Sequence, residues 1–174
     1  MDTSIKRLQP LPPDAWPVEL HEIRQHLGKP LNIHSTMAHN AELLAAWMPY
    51  RYHIVGDSSL TPRHRELLIL RTAVNCAASY EWEHHVIRGR EAGLSDLEIE
   101  RVKDGPDAKG WAPAESALLS AADECQRDAK ISDQTYRALS KHFDDRQLLD
   151  LISTVGVYMT IAVMVNTFDV PMEE

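Results

Sequence analysis

The feature that most constrains the fold is a long apolar run near the end of the chain, from Leu151 to Val165. Four small or hydroxylated residues interrupt the run, and Asp150 and Asn166 bound it. It is shorter than the roughly 20 apolar residues that a transmembrane helix needs. A helix that is apolar on nearly every side is otherwise buried all round. In a chain of 174 residues we expect a subunit interface to complete that burial, so the run predicts a homo-oligomer.

Helix start and stop signals recur along the whole chain, whereas the alternation of apolar and polar residues that indicates strands is not sustained anywhere. Thr61-Pro62 offers an N-cap followed by proline at the first helical position. The segments Ser95–Glu98 and Asp144–Gln147 fit capping boxes, Ser79 is a further N-cap, and Gly93 follows a helical pattern as a stop. The sequence therefore predicts an all-α fold.

The predicted helices account for most of the chain. They run from Pro17 to Leu27, His39 to Val55 (kinked or divided at Pro49), Thr61 through the following apolar stripe, Tyr80 to Ala92, Ser95 to about Lys103, Pro113 to about Ala129, Ser132 to His142 and Asp144 to Asn166. We expect residues 1–30 to form an N-terminal extension with a short helix. Residues 31–174 are expected to form the main helical domain, within a single domain overall.

Composition argues against several classes of protein. The net charge of −8, the pI near 5.6 and the lack of a basic tract disfavour nucleic-acid binding. The first 17 residues are polar and rich in proline, without the apolar stretch of a signal peptide. Cys76 and Cys125 fit neither Cys-x-x-Cys nor a zinc spacing. We expect a cytoplasmic protein with free thiols that binds neither nucleic acid nor membranes.

Proton-handling residues are concentrated where the chain reads Ala-Ser-Tyr-Glu-Trp-Glu-His-His, from Ala78 to His85. On a helix, Glu81 and His85 lie one turn apart on one face, with His84 beside them, and Glu66 of the preceding helix can approach the same place. His85 is expected to carry the proton, because its unperturbed pKa is near neutrality. The first helical turn is expected to keep Glu81 ionised, so that it orients the imidazole. Tyr80 is a candidate donor to a developing oxyanion.

Each of these residues has a simpler interpretation as well. Adjacent histidines are common on exposed helix faces, Trp82 can be a core anchor, and Glu66 can pair with Arg63 or Arg71. A di-iron centre would need two Glu-x-x-His motifs and two further carboxylates, whereas the chain has one such motif, at residues 81–84. Side chains of adjacent helical residues project about 100° apart, which disfavours a mononuclear site on the two histidines. The residues alone therefore disfavour a di-metal centre and, less strongly, a mononuclear site.

These motifs together resemble the carboxymuconolactone decarboxylase and alkylhydroperoxidase D superfamily, over Leu31 to Val170. The matching segments are Met37-Ala38-His39-Asn40, Leu60 to Arg71, Tyr80-Glu81-Trp82-x-His84-His85, Ala92-Gly93-Leu94-Ser95, and Tyr158 with Asn166-Thr167-Phe168. The resemblance implies an all-helical fold built around a helical hairpin and assembled as dimers, trimers or hexamers.

The peroxidase branch of that superfamily carries a glutamate, a Cys-x-x-Cys and a histidine. Glu66 and His85 match the glutamate and the histidine, but Ala78 and Glu81 fall on the two cysteine positions. Thiol-based peroxide reduction needs an attacking thiolate and a resolving thiol, and the two cysteines present stand elsewhere in the chain. We expect no disulfide-cycling peroxidase activity.

What remains resembles the decarboxylase-like branch, which works without a metal or an organic cofactor. The resemblance implies a general acid/base at His85, orienting carboxylates at Glu66 and Glu81, and an oxyanion donor at Tyr80. It also implies pocket positions for His84 and His39, and a cation for the substrate carboxylate, for which Arg71 and Arg88 are candidates. The expected function is decarboxylation of a small carboxylated lactone or oxo acid from the breakdown of aromatic rings. Isomerisation or dehydration at the same site, and ligand binding by a non-catalytic helical oligomer, are the alternatives.

Overall fold

The computed structural model describes Ile5 and residues 7–173, and this part of the chain is helical without strands. Nine α-helices follow one another within it: α1 (His21–Leu27), α2 (Asn32–Met37), α3 (Ala41–Tyr52), α4 (Pro62–Asn75), α5 (Ser79–Glu91), α6 (Asp96–Asp104), α7 (Pro113–Asp128), α8 (Asp133–Leu139) and α9 (Asp145–Phe168). Two short 3-10 turns precede α1, and a π-helical turn, His53–Asp57, follows α3. The predicted all-α class is confirmed. The first residues of the predicted N-terminal extension, 1–4 and 6, lie outside the described residues.

Local contacts confirm most of the predicted helix ends. The Thr61 hydroxyl accepts a hydrogen bond from the His64 N–H at 3.2 Å, and the capping boxes that open α6 and α9 are both formed. Gly93 ends α5 with a φ of +88°, a conformation that suits glycine. These helix boundaries were therefore readable from short-range sequence signals alone.

The structure differs from the sequence analysis at three local features. Ser79 is the first residue of α5 rather than its cap, and Ala78 holds the N-cap position without a side-chain hydrogen bond. Helix α3 is not divided at Pro49; it continues to Tyr52 and widens only in the π-helical turn that follows. The short helix α2 was not predicted, because its six residues follow Pro30 and carry too few apolar repeats to show a period.

Helix α4 is the centre of the fold, packed against α5, α6, α7 and α9. Its consecutive residues Leu67, Leu68, Ile69 and Leu70 are all buried and supply three different hydrophobic clusters. A helix surrounded in this way holds its other side chains at fixed positions, since tightly packed interiors allow little rearrangement. Glu66, one residue before this run and only 3% exposed, is therefore held rigidly inside the protein.

The apolar run near the end of the chain lies in α9, which is longer than the run itself. With 24 residues α9 is long and apolar enough to cross a bilayer, although just over half of its most apolar stretch is buried inside the protein, as in the core helix of a globular domain. Within the single chain the burial of α9 is incomplete on one face, and its completion by a subunit interface stays a prediction. Leu149, Ile152 and Val163 are each at least half exposed there.

The connection between α3 and α4 is fastened to α9 by the carboxylate of Asp150. This carboxylate accepts hydrogen bonds from the backbone N–H of Ser59 at 2.7 Å and its hydroxyl at 2.6 Å, and it lies 2.7 Å from Nε2 of His53. Burial raises the pKa of Asp150, but the hydrogen bonds from Ser59 and His53 outweigh it and bring the pKa to about 2, below its ordinary value. The anchor fixes the end of α3, which carries Arg51, against α9.

Candidate active site

A helical hairpin made of α4 and α5 brings Glu66 and His85 into direct contact. The hairpin turns through Ala77, which adopts a left-handed φ of +50°, and its two helices pack along their length. Nδ1 of His85 lies 2.6 Å from a carboxylate oxygen of Glu66, and the two side chains are only 2% and 4% exposed. The predicted hairpin and the predicted Glu66–His85 contact are both present.

Hydrogen-bond donors around His85 determine which of its nitrogens carries the proton. A guanidinium nitrogen of Arg88 lies 3.4 Å from Nε2, and a guanidinium can only donate. We therefore assign the proton to Nδ1, which donates to Glu66, and a lone pair to Nε2. Burial lowers the pKa of His85, with the Glu66 carboxylate opposing that effect in part. The imidazole is accordingly neutral at neutral pH, with a basic Nε2 facing Arg88.

Glu81 completes the group but in a protonation state other than the one expected. Its carboxylate oxygen lies 3.6 Å from Nε2 of His85, and the residue is 5% exposed. Burial raises the pKa of Glu81 to about 7, although Arg88 and Arg51 act in the opposite direction. The expectation that the first helical turn keeps Glu81 ionised is therefore wrong, because loss of hydration outweighs the helix dipole. Near neutral pH, Glu81 is a partly protonated carboxylic acid.

Two cavities adjoin the side chains of Glu66, Glu81 and His85. The outer one, with a volume of about 360 Å³, opens beside α3, α4 and α5 and is lined by Arg65, Glu66 and Glu91 among others. The inner one, about 20 Å³, is lined by Glu81, His84 and His85 together with residues of α2 and α3. Arg51, Arg88 and Tyr158 line both cavities. These three side chains form the wall between the outer cavity and the imidazole.

Tyr80 does not take the position predicted for it. Its hydroxyl donates to a carboxylate oxygen of Glu173 at 2.6 Å and accepts from the Ile33 N–H at 3.3 Å, and it lines neither of the two cavities. The phenol that faces the site is Tyr158 of α9, whose ring meets that of His85 edge-on at 4.9 Å. Burial raises the pKa of Tyr158, which keeps its hydroxyl protonated. Among the described residues that hydroxyl has no hydrogen-bond partner, so it is available to donate.

The remaining predicted residues divide between the site and other places. His84 lines the inner cavity, with Nε2 2.8 Å from the carboxylate of Glu173. His39 lies elsewhere, 2.9 Å from the carbonyl of Gln9, beside a separate apolar cavity. Arg71 is also remote, because its guanidinium is bound by the Asp123 carboxylate and by two backbone carbonyls at the end of α6. The structure thus brings His84 to the site and leaves His39 and Arg71 outside it.

The cations at the site are Arg88, the other predicted candidate, and Arg51, which was not predicted. Arg51 comes from the last turn of α3, and Arg88 from the same face of α5 as His85. Neither forms an ion pair with a carboxylate within residues 7–173. Burial lowers the pKa of Arg51, but an arginine stays charged throughout the physiological range. Two guanidiniums without carboxylate partners beside a cavity suit a small anionic ligand.

Neither thiol is placed or activated for redox chemistry at this site. Cys76 and Cys125 are both unpaired and partly buried, and burial raises the pKa of each. A raised thiol pKa lowers the fraction of reactive thiolate. In the described part of the chain, no three His, Cys, Asp or Glu side chains are grouped so as to hold a metal ion.

Comparison with known proteins identifies relatives of this fold. The family model for the carboxymuconolactone decarboxylase family matches residues 41–124, the part of the chain that carries Arg51, Glu66, Glu81, His85 and Arg88. No curated protein matches the chain.

Solved structures share the fold at low sequence identity. They include an uncharacterized peroxidase-related protein from Silicibacter sp. TM1040, with a TM-score of 0.80 and 19% identity over 99% of this chain and 95% of that chain. A peroxidase-related protein with an alkylhydroperoxidase AhpD core from Ralstonia eutropha JMP134 has a TM-score of 0.78 and 20% identity, over 98% and 94% of the two chains. The debrominase Bmp8 in complex with 2,3,4-tribromopyrrole has a TM-score of 0.79 and 15% identity, over 95% and 91%.

Proposed function

We propose that this chain, which belongs to the carboxymuconolactone decarboxylase and alkylhydroperoxidase D-like superfamily, is a cofactor-free decarboxylase of a small carboxylated lactone or oxo acid. The observation that carries the proposal is the buried contact of Glu66, His85 and Glu81 beside two arginines that form no ion pair with a carboxylate of residues 7–173. The family includes enzymes, and the debrominase shares its fold. The superfamily therefore supports catalysis, and the reaction itself is inferred from the chemistry of the site.

The proposed reaction begins with loss of the substrate carboxylate as CO₂. The electron pair of the broken carbon–carbon bond moves into the conjugated carbonyl and forms a dienolate. The Tyr158 hydroxyl, which has no other partner among the described residues, would donate a hydrogen bond to the developing oxyanion. Arg51 and Arg88 would bind the anionic substrate in the outer cavity and orient it toward the imidazole.

The second step returns a proton to carbon. Glu81 is the donor that we assign, because its pKa of about 7 leaves it partly protonated at neutral pH. His85 would take a proton from water at Nε2 and pass it to Glu81, 3.6 Å away. The hydroxide left behind would combine with the released CO₂ to give bicarbonate. The Glu66 carboxylate would stabilise the imidazolium that forms in that transfer.

A second function, isomerisation of a small oxo acid, is favoured by one observation. Burial raises the pKa of Glu81 and lowers that of His85. The carboxyl group can then act as an acid and the imidazole as a base, and such a pair can move a proton between two carbons. Such a reaction would use the same residues without releasing CO₂. The two functions therefore differ in their products and not in their site.

The experiment that separates them is a screen of small lactones and oxo acids in D₂O, each with and without a carboxylate beside the conjugated carbonyl. A decarboxylase releases CO₂ and incorporates deuterium at the carbon that lost it, whereas an isomerase incorporates deuterium with no CO₂. The His85→Gln variant is expected to abolish either reaction. Turnover that persists in His85→Gln would reject the proposed site, and turnover that requires Cys76 or Cys125 would reject the proposed chemistry.

We also propose that the exposed face of α9 is a contact between copies of this chain. Leu149, Ile152 and Val163 lie along this face, and Tyr50 of α3, 44% exposed, bonds to the carbonyl of Ser153 beside it. These side chains share one face of the protein, whereas exposed apolar residues on a monomer are usually scattered singly. An exposed group of this kind indicates an interaction surface. A second copy presenting the same face would complete the burial of α9.

Replacing Val163 by Asp is expected to convert the assembled protein to monomers, because burying an unpaired carboxylate at an apolar contact weakens association by about a hundredfold or more. Sedimentation velocity measures the change. Leu97→Asp is the matched control, because Leu97 is 78% exposed on α6, away from this face. A wild-type protein that sediments as a monomer, or a Val163→Asp variant that stays assembled, would contradict the proposal.

A further inference from the structure

The lone pair of His85 on which acid–base chemistry depends has no open approach. Glu66 occupies Nδ1, the ring of Tyr158 packs edge-on at 4.9 Å, and Arg88 covers Nε2 at 3.4 Å. The inner cavity at this nitrogen, about 20 Å³, has room for one water and not for a ring. A substrate therefore reaches Nε2 only if part of the wall moves.

The wall consists of Arg51, Arg88 and Tyr158, and these three differ in how firmly they are held. Tyr158 is 5% exposed and belongs to the hydrophobic cluster that packs α9 against α2 and α3. Arg51 is carried by the end of α3, which Asp150 anchors through His53 and Ser59. Arg88 is half-buried, and its one hydrogen bond within the described residues is the long contact to His85. Arg88 is thus the part of the wall that is most easily displaced.

The outer cavity offers Arg88 a better partner whenever it holds an anion. A guanidinium binds a carboxylate through two parallel charge-assisted hydrogen bonds, which are stronger than one long bond to a neutral nitrogen. Arg88 lines both cavities, so rotation of its side chain alone would carry the guanidinium toward the outer one. Rotation in that direction uncovers Nε2 and joins the inner cavity to the outer.

We propose that Arg88 is a gate over His85 that a substrate carboxylate opens by drawing the guanidinium into the outer cavity. The proposal rests on the proposed function and narrows its substrate class to small ring acids whose carboxylate is ionised. Neutral amides and esters of the same shape leave Nε2 covered. Arg88 thereby couples recognition of the carboxylate to exposure of the base, a form of induced fit that gives specificity.

Two measurements that need no turnover test the gate. The first is the rate at which diethyl pyrocarbonate acylates His85, followed by peptide mass spectrometry with the exposed His142 as internal reference. Acylation requires an accessible neutral nitrogen, so it is expected to be slow in the wild type and about tenfold or more faster in Arg88→Ala. Arg90→Ala, on the exposed side of the same helix, is the matched control and is expected to react at the wild-type rate.

The second measurement is calorimetric binding of 2-furoate, a small ring carboxylate, compared with 2-furamide, its neutral counterpart. Furoate is expected to bind the wild type, and to bind Arg88→Ala about ten- to a hundredfold more weakly because a charge-assisted pair is lost. Arg88→Lys, which keeps the charge without the planar fork, is expected to fall between them. Furamide is expected to show no binding.

The gate is overturned if His85 in Arg88→Ala reacts at the wild-type rate, or if furoate binds that variant as tightly as the wild type. Equal binding of furamide, or no binding of furoate by the wild type, would also overturn it. Circular dichroism of each variant separates a displaced gate from a misfolded protein. Because neither measurement follows a reaction, the gate can stand where the decarboxylase assignment fails.

Discussion

Replacing Glu66 by Gln is expected to lower turnover of the substrate found by the screen by about two to four orders of magnitude. When His85 takes a proton at Nε2, a positive charge forms at the inner cavity, which Arg51 and Arg88 also line. The Glu66 carboxylate, 2.6 Å from Nδ1, is the nearest counter-charge, and an amide supplies none. At a separation of about 4 Å and an effective dielectric constant of about 20, such a pair interacts by about 4 kcal/mol, enough for an effect of this size.

The same variant has an effect that does not depend on knowing the substrate. Glu66 raises the pKa of His85 against the lowering effect of burial, so Glu66→Gln is expected to lower that pKa further. A pH titration of the His85 ring by NMR measures this. Because the neutral imidazole can still donate its Nδ1–H to an amide oxygen, the free energy of unfolding should fall by no more than about 1–2 kcal/mol.

Two controls make this first prediction specific. Glu83→Gln makes the same chemical change on the exposed side of α5 and should retain wild-type turnover. Glu66→Asp keeps the charge but shortens the side chain, so it should recover part of the loss. Wild-type turnover in Glu66→Gln would show that the Glu66–His85 contact is structural and not catalytic.

How far the site could be predicted depends on whether its residues share one helix or one hairpin. Glu81 and His85 are four residues apart, which places them about 40° apart around a helix axis. The same rule, applied consistently, would have rejected Tyr80 and Arg71. Tyr80 lies five residues from His85, and Arg71 five from Glu66, and five residues correspond to about 140°. Arg88, three residues after His85 and about 60° away, is the cation that the helical geometry favours.

Arg51 and Tyr158 gave no comparable signal, because long-range packing brings them to the site. Arg51 is separated from His85 by the whole of α4, and its placement depends on how the π-helical turn after α3 is anchored to Asp150. Tyr158 stood out only as part of a resemblance to the last helix of the family. Residues of α9 belong to two hydrophobic clusters, and the packing of these clusters determines which face of α9 meets α5. The protonation state of Glu81 was mispredicted for a related reason, since sequence position showed the helix turn but not the burial.

Replacing Glu81 by Gln is expected to stabilise the protein above pH 7 and to change its stability little below about pH 4.5. The folded protein holds the proton of Glu81 up to a pKa of about 7, whereas the unfolded chain releases it near the ordinary value of 4.5. Between these two values the folded state binds more protons, so the free energy of unfolding of the wild type falls as the pH rises. The raised pKa corresponds to a loss of about 3 kcal/mol in the free energy of unfolding of the wild type above pH 7. Gln has no proton to release, so the variant does not undergo this loss.

The measurement is chemical denaturation of Glu81→Gln and the wild type at a series of pH values from 4 to 9. His85 contributes a trend of opposite sign, because its lowered pKa makes the folded state release protons that the unfolded state keeps. His85 is present in both proteins, so the difference between their unfolding free energies isolates Glu81 to a first approximation. Glu83→Gln, exposed on the same helix, should show no pH-dependent difference.

The two readouts of Glu81→Gln are expected to move in opposite directions, and this makes the variant informative. A carboxyl that is held by burial at a pKa near 7 destabilises the folded protein at alkaline pH, and it is also the acid to which we assign proton return. The variant should therefore gain stability above pH 7 while losing turnover by about two orders of magnitude or more. A stability difference that stays constant from pH 4 to 9 would mean that the pKa of Glu81 is not raised by folding. Another residue at the two cavities would then have to be the proton donor.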